Sequence, residues 1–97
     1  MQDFATQLFI DGQFADAAAG RTFSDYNPAS GAAIGEIALA DAADVDRAVA
    51  AADRAQREWA RWTGAERGRV LRRAAELLRE NVDESARLES LDTGRPI

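Results

Sequence analysis

The sequence predicts an α+β fragment in which two N-terminal β-hairpins precede three helices. Three observations lead there. Asp11-Gly12 sits between the short apolar runs Leu8-Phe9-Ile10 and Gln13-Phe14-Ala15, and Asp-Gly is the residue pair a two-residue hairpin turn selects. Asn27-Pro28-Ala29-Ser30-Gly31 divides a second pair of strand-like runs. From Asp41 onward the apolar residues recur at helical spacing rather than in alternation. The hairpins should occupy about residues 8–39 and the helices about 42–93, in a single segment covering 1–97.

Each element has its own signal. Ala17 to Gly20 reads as a loop, and Thr22 to Tyr26 as a strand in which Phe23 alternates with polar neighbours. In the following turn Asn suits the first position, Pro presets φ at the second, and Gly closes it. Ala33 to Leu39 pairs back, with Ile34 and Ile37 as weak anchors. Asp41 and Asp44 mark a helix start, where carboxylates accept from free N–H groups and complement the dipole. Val45, Ala48, Val49, Ala52, Ala55 and Trp59 form one apolar stripe. Its alanines allow another backbone close, so this helix should pack tightly against something, including protein beyond this chain. Thr63 and Glu66 have capping-box spacing for a second helix, striped by Val70, Leu71, Ala74, Leu77 and Leu78. After a break near Asn81, a third and shorter helix runs through Ala86 and Leu88 to Leu91. Gly94 is placed to end it and Pro96 cannot continue it.

Composition excludes several functions. At 97 residues the chain makes at most one domain, and a hydrophobic fraction of 46% argues against disorder. A net charge of −5, with arginines interleaved among acids, is the wrong sign for a nucleic-acid footprint. No apolar run approaches the ~20 residues a membrane span needs, and no signal-peptide pattern opens the chain. A soluble cytoplasmic protein is the expectation.

Catalytic constellations are absent. The chain has no cysteine and no histidine, which removes disulfides, Cys/His metal sites, a thiol nucleophile and an imidazole base. No Gly-x-Gly-x-x-Gly or other phosphate-binding loop occurs. Ser24, Ser30, Ser85 and Ser90 have no base to activate them. Glu76, Glu80, Glu84 and Glu89 alternate with arginines as surface pairs do. Trp59 and Trp62 read as core packing rather than a stacking platform. The segment Leu88-Glu89-Ser90-Leu91-Asp92-Thr93-Gly94-Arg95-Pro96 gathers an acid, hydroxyls and a glycine at a helix stop.

Taken in order, these motifs resemble the N-terminus of the aldehyde dehydrogenase superfamily from about Leu8 onward. Leu8 to Gly12 is similar to its opening strand and turn, and Asn27 to Gly31 to its "NPATG" turn. Asp44 to Ala52 resembles its first helix, with Trp59 where a tryptophan is frequent. Glu66-Arg67 with Leu71-Arg72-Arg73-Ala74-Ala75 and Leu77-Leu78 resembles its second helix. Leu88 to Pro96 resembles its "LE-x-LDTGKP" segment, with Arg95 where lysine is commoner, and Tyr26 stands where a β-branched residue is usual. Within the superfamily the nearest similarity is to betaine aldehyde dehydrogenase and related aminoaldehyde dehydrogenases. It is carried by Gln56, Trp59, Thr63, Glu66-Arg67 and Leu71 to Ala74.

The resemblance implies an α/β aldehyde dehydrogenase-like fold of which this is the N-terminal piece. It implies a cytoplasmic homo-oligomer, dimer or tetramer, that oxidises a small aldehyde such as betaine aldehyde or an aminoaldehyde to a carboxylic acid with NAD or NADP. The family's thiolate, its glutamate, its oxyanion donors and its dinucleotide-binding units lie in later sequence. No catalytic and no cofactor-binding residue is therefore expected here, and the segment alone should be inactive. One site does carry over: a structural K⁺ or Na⁺ held by the backbone carbonyls of Asp25 and Tyr26 and by the Asp92 carboxylate. Hard cations prefer such oxygen ligands. It requires Asp92 to converge on Asp25 and Tyr26. The alternative is that Asp92 bonds nearby backbone N–H groups. The rival to the enzyme-segment reading is a non-catalytic interaction module derived from the same family.

Overall fold

Asp11 and Gly12 take φ values of 55° and 75°. These left-handed conformations let a two-residue turn match the strand twist, so β1 (Leu8–Ile10) folds back on β2 (Gln13–Ala15). The register sets Phe9 opposite Phe14, with their rings edge-to-face at 4.9 Å. The structure, a computed structural model, describes residues 4–97.

The second hairpin joins β3 (Thr22–Tyr26) to β4 (Ala33–Ala38) in an antiparallel pair. Its turn is closed by its own polar groups. The Asn27 side-chain oxygen accepts from the Ala29 N–H at 2.9 Å. The Gly31 N–H donates to the Asn27 carbonyl at 2.7 Å, and the Asn27 N–H to the Ala32 carbonyl at 2.8 Å. The two hairpins form separate two-stranded sheets. They are linked where the Ala38 N–H donates to the Thr6 carbonyl at 2.9 Å.

Three helices follow: α1 (Ala42–Trp59), α2 (Gly64–Glu80) and α3 (Val82–Thr93). The expected capping box of Thr63 with Glu66 forms, and Asp41 and Asp44, expected at a helix start, form a second one; such a cap contributes about 1 kcal/mol to a helix. Asn81 ends α2 and starts α3, its side chain donating back to the Leu77 carbonyl at 2.9 Å. α3 begins directly after that break and is longer than its sparse apolar pattern suggests, because helical hydrogen bonding continues through polar residues.

The packing departs from the sequence pattern along α1. Of the expected stripe, Val45 and Val49 stay 54% and 62% exposed, while the residues that α1 buries are Asp44 and Ala51. The reason is a hydrogen-bond node. Asp44 accepts from the Ala18 N–H at 3.0 Å and from the Asp41 N–H at 3.0 Å, and Arg47 meets it at 2.5 Å. This node turns α1 so that its acidic start, not its valines, faces the loop after β2. Backbone N–H groups of Asp41 and Ala18, and then Arg47, lower the Asp44 pKa from 3.8 to about 2. The sign follows: the anionic form is stabilised by folding, so the contribution is present above pH 3.8 and lost as pH falls through about 2. Circular dichroism at helix wavelengths should show the native chain more helical than Asp44→Asn above pH 3.8, the difference closing near pH 2. A pH-independent difference would remove charge from the role of this node.

The assembled segment is flat, 48 × 35 × 17 Å, with a radius of gyration of 16.6 Å. A compact chain of this length has about 12–13 Å. Among the described residues the only buried apolar side chains are Ala17 and Ala51.

Candidate metal centre

The end of α3 lies against the Asn27-Pro28 turn because of one glycine. Gly94 caps α3 with φ 78°, and a Cβ there would stand 3.0 Å from the Pro28 Cγ. Both the left-handed backbone and the absent side chain are needed. The Gly94 N–H donates to the Ser90 carbonyl at 2.9 Å, the Thr93 hydroxyl to the Glu89 carbonyl at 2.7 Å, and the Ser90 hydroxyl to the Arg95 carbonyl. The helix stop is thereby fixed, and Asp92 with it.

Alternation along β3 prepares the other half. Phe23 and Asp25 line a cleft of about 680 Å³ together with Ile34, Ile37, Leu88, Leu91 and Asp92. Thr22 and Ser24 point the other way and donate to Glu36, the former at 3.1 Å. Glu36 is thus held away from the aspartates. Among the described residues no three His, Cys, Asp or Glu side chains converge as a metal cluster, so side chains supply this site with a carboxyl pair at most.

Asp25 and Asp92 do meet. The Asp25 pKa is raised above 3.8, first by a hydrogen bond to the Asp92 side chain, then by desolvation and by the nearby Asp92 charge. The Tyr26 N–H, donating to the Asp25 carboxyl, opposes this. Two carboxylates are both acceptors, so their hydrogen bond requires a proton on one of them. A hard cation could take that proton's place, and the oxygen-only donor set suits K⁺ or Na⁺ better than a thiophilic metal.

Of the sequence-derived site residues, Asp25 and Asp92 are brought together. Tyr26 joins through its backbone N–H, while its side chain is 56% exposed. The Asp25 side chain was missed: only its carbonyl was expected to take part. The available signal was its i, i+2 relation to Phe23 on a strand whose partner offers Ile37.

Geometry bears on two other features. Trp59 and Trp62 are not a core cluster. They pack on each other at 5.3 Å between ring centres and, with Ala52 and Ala55, line an open cleft of about 420 Å³; the helix ends there, and no other element of the described chain closes over it. The helix N-termini offer no pyrophosphate cradle. Each begins with acid, Asp44 in α1, Glu66 in α2, Asp83 and Glu84 in α3, and those carboxylates occupy or repel the place an anion would take. Among the described residues these helix starts do not fit a pyrophosphate.

The profile of the aldehyde dehydrogenase family matches residues 14–97. Among solved structures, a protein assigned as an aldehyde dehydrogenase from Burkholderia cenocepacia is 53% identical, with a TM-score of 0.92 over 94% of this chain and 19% of its own. PnpE, solved in complex with nicotinamide adenine dinucleotide, is 52% identical with a TM-score of 0.91 over the same shares, 94% and 19%. Betaine aldehyde dehydrogenase from Staphylococcus aureus, solved with NAD⁺, is 33% identical with a TM-score of 0.89, again over 94% and 19%. The chain thus spans about a fifth of the length of the structures it matches.

Proposed function

The chain belongs to the aldehyde dehydrogenase family, and from that premise we propose that residues 1–97 are the N-terminal framework segment of an NAD(P)-dependent aldehyde dehydrogenase. The carrying observation is the joint match of sequence and backbone to a protein about five times longer, at 53% identity and a TM-score of 0.92. In this reading the segment performs no chemical step. With no cysteine in the chain and acidic helix starts, the thiolate, the dinucleotide site and the oxyanion donors come from the rest of the subunit. NAD(P), when bound there, accepts the hydride of aldehyde oxidation. What these residues do is hold the edge of the subunit in register.

The substrate in this proposal is an aldehyde. Betaine aldehyde or an aminoaldehyde is the finer reading that similarity along α1 and α2 supports. Thr63 and Glu66, two of the residues behind it, are engaged in the α2 capping box, and the betaine aldehyde relative is 33% identical against 53% and 52% for the other two. A cytoplasmic dimer or tetramer belongs to the same proposal; among the described residues no helix is long and apolar enough to cross a membrane.

The test is a graft. This chain replaces the matching segment of the Burkholderia enzyme, and NADH formation is followed with a panel of aldehydes including betaine aldehyde. The graft should keep parental activity within roughly tenfold, since a factor of ten is only ~1.4 kcal/mol of transition-state stabilisation. An inactive graft beside an active parent would reject the reading.

The cation belongs to the proposal too. Asp92 and the backbone of Asp25 and Tyr26 would hold a structural K⁺ or Na⁺, tying the second hairpin to the end of α3, with the Asp25 carboxyl as an added ligand. In the graft, raising K⁺ a hundredfold above its dissociation constant should stabilise by about 2.7 kcal/mol, and Asp92→Ala should flatten that dependence. An unchanged K⁺ dependence would exclude Asp92 as a ligand.

A further inference from the structure

The turn of the first hairpin sets a reactive pair side by side. Asp11 precedes Gly12, and nowhere else in the sequence does an aspartate or asparagine precede glycine. The Asp11 side chain is 74% exposed and meets Arg54 at 3.7 Å, a weak surface pair that leaves it free to move. Where a Cβ would stand on Gly12 there is open space, so nothing crowds the approach to its amide nitrogen. Among the described residues the Gly12 N–H has no backbone partner in the turn, so no hydrogen bond need break to release it. The strands on either side are three residues each, and so short a hairpin opens locally at little cost.

We propose that Asp11 is a site of spontaneous isomerisation to isoaspartate, which unlatches the first hairpin. The Gly12 amide nitrogen attacks Cγ of the protonated Asp11 carboxyl and forms an N–Cγ bond; the amide proton and the carboxyl hydroxyl leave together as water. The product is a five-membered cyclic imide, to which water adds at one of the two carbonyls. Cleavage of the N–Cγ bond restores aspartate. Cleavage of the bond from nitrogen to the main-chain carbonyl carbon leaves isoaspartate, with that carbonyl now a free carboxylate. One water is lost and one regained, and nothing is oxidised or reduced. Isoaspartate puts an extra carbon into the backbone of a two-residue turn. The turn geometry that matches Ile10 to Gln13 and Phe9 to Phe14 is then lost, and with it the edge-to-face contact of the two rings. Asp53 is the internal comparison. Its side chain is 64% exposed and paired with Arg57 at 2.8 Å, but it lies inside α1, followed by Arg54, whose amide the helix ladder engages.

The experiment holds the dilute 97-residue chain at neutral pH and physiological temperature for several weeks, beside a synthetic peptide spanning Thr6 to Ala15. Digestion with a protease that cuts before aspartate, then chromatography with mass measurement, reads the products. The expected result is a growing species of unchanged mass that resists cutting at Asp11, with a trace lighter by one water, while Asp53 stays cleavable. Asp11→Glu, which would need a larger ring, should abolish both species. In the isolated product, nuclear magnetic resonance contacts between the Phe9 and Phe14 rings should be absent. A chain that stays unmodified while the peptide isomerises would show that the fold protects the turn, and overturns the proposal. Equal modification at Asp53 overturns it as well, because the turn would then confer no selectivity. An isomerised chain that keeps the Phe9–Phe14 contact overturns the unlatching of the hairpin.

Discussion

Replacing Gly94 with alanine in the grafted subunit should lower its stability by about 2–5 kcal/mol. Two costs add. A residue with a Cβ held at a φ near 78° loses about 1–2 kcal/mol through crowding of the Cβ against the following carbonyl oxygen. The new methyl would also stand 3.0 Å from the Pro28 Cγ, and relieving such an overpacked contact costs about 1–3 kcal/mol. Denaturant midpoints measure the sum, and two companions separate its parts. Gly94→Asn tolerates the left-handed backbone but keeps the clash. Pro28→Ala in the Gly94→Ala background removes the clash but keeps the backbone strain, so that the pair should be non-additive by about 1 kcal/mol or more. Separating α3 from the turn also separates Asp92 from Asp25, so Gly94→Ala should weaken the K⁺ dependence as Asp92→Ala does. A Gly94→Ala variant as stable as its parent would mean that the helix end and the turn do not touch.

What the sequence made legible was local. Asp11-Gly12 specifies its hairpin because two adjacent positive φ values admit few residue pairs, and both observed angles comply. Thr63 with Glu66 and Asp41 with Asp44 specify helix starts because a carboxyl three residues on reaches back to the cap N–H, and both boxes form. Gly94 ends α3 as expected. The cation ligands expected by resemblance were the backbone carbonyls of Asp25 and Tyr26 with the Asp92 carboxylate; the contact between the Asp25 and Asp92 carboxyls follows instead from the alternation of β3, legible in Phe23 and its partner Ile37.

What stayed illegible was packing. The α1 stripe marks residues meant for burial without saying by what, and Val45 and Val49 remain open while the Asp44 node sets the helix start against the loop after β2. Asp44 is the reverse case. Its charge suggests a surface cap, yet it is 1% exposed, because the amide it accepts from belongs to Ala18, 26 residues earlier. Trp59 and Trp62 are likewise not enclosed by another element of the described chain. Aromatic residues at a helix end signal an apolar environment, and here they found each other.

The second large effect concerns the chain by itself. A cooperative domain of 97 residues melts with an enthalpy of about 65–70 kcal/mol, at roughly 0.7 kcal/mol per residue. That enthalpy comes from close packing, and here the described apolar side chains buried by folding are two alanines. Phe9, Phe14, Val49, Leu71 and Leu78, each more than half exposed, are left to find other partners. Purified alone, the chain should melt over a broad range with well under half of that enthalpy, and it should self-associate at high concentration through these faces and its hairpin edges. This bears on the central claim, that the segment is framework whose conformation is held by the rest of a subunit. Differential scanning calorimetry of the isolated chain, with light scattering on the same sample, is the measurement. The account predicts a shallow, broad transition and a particle size that grows with concentration; a sharp transition of about 65–70 kcal/mol in a clean monomer would contradict it, and would make the chain a self-sufficient module.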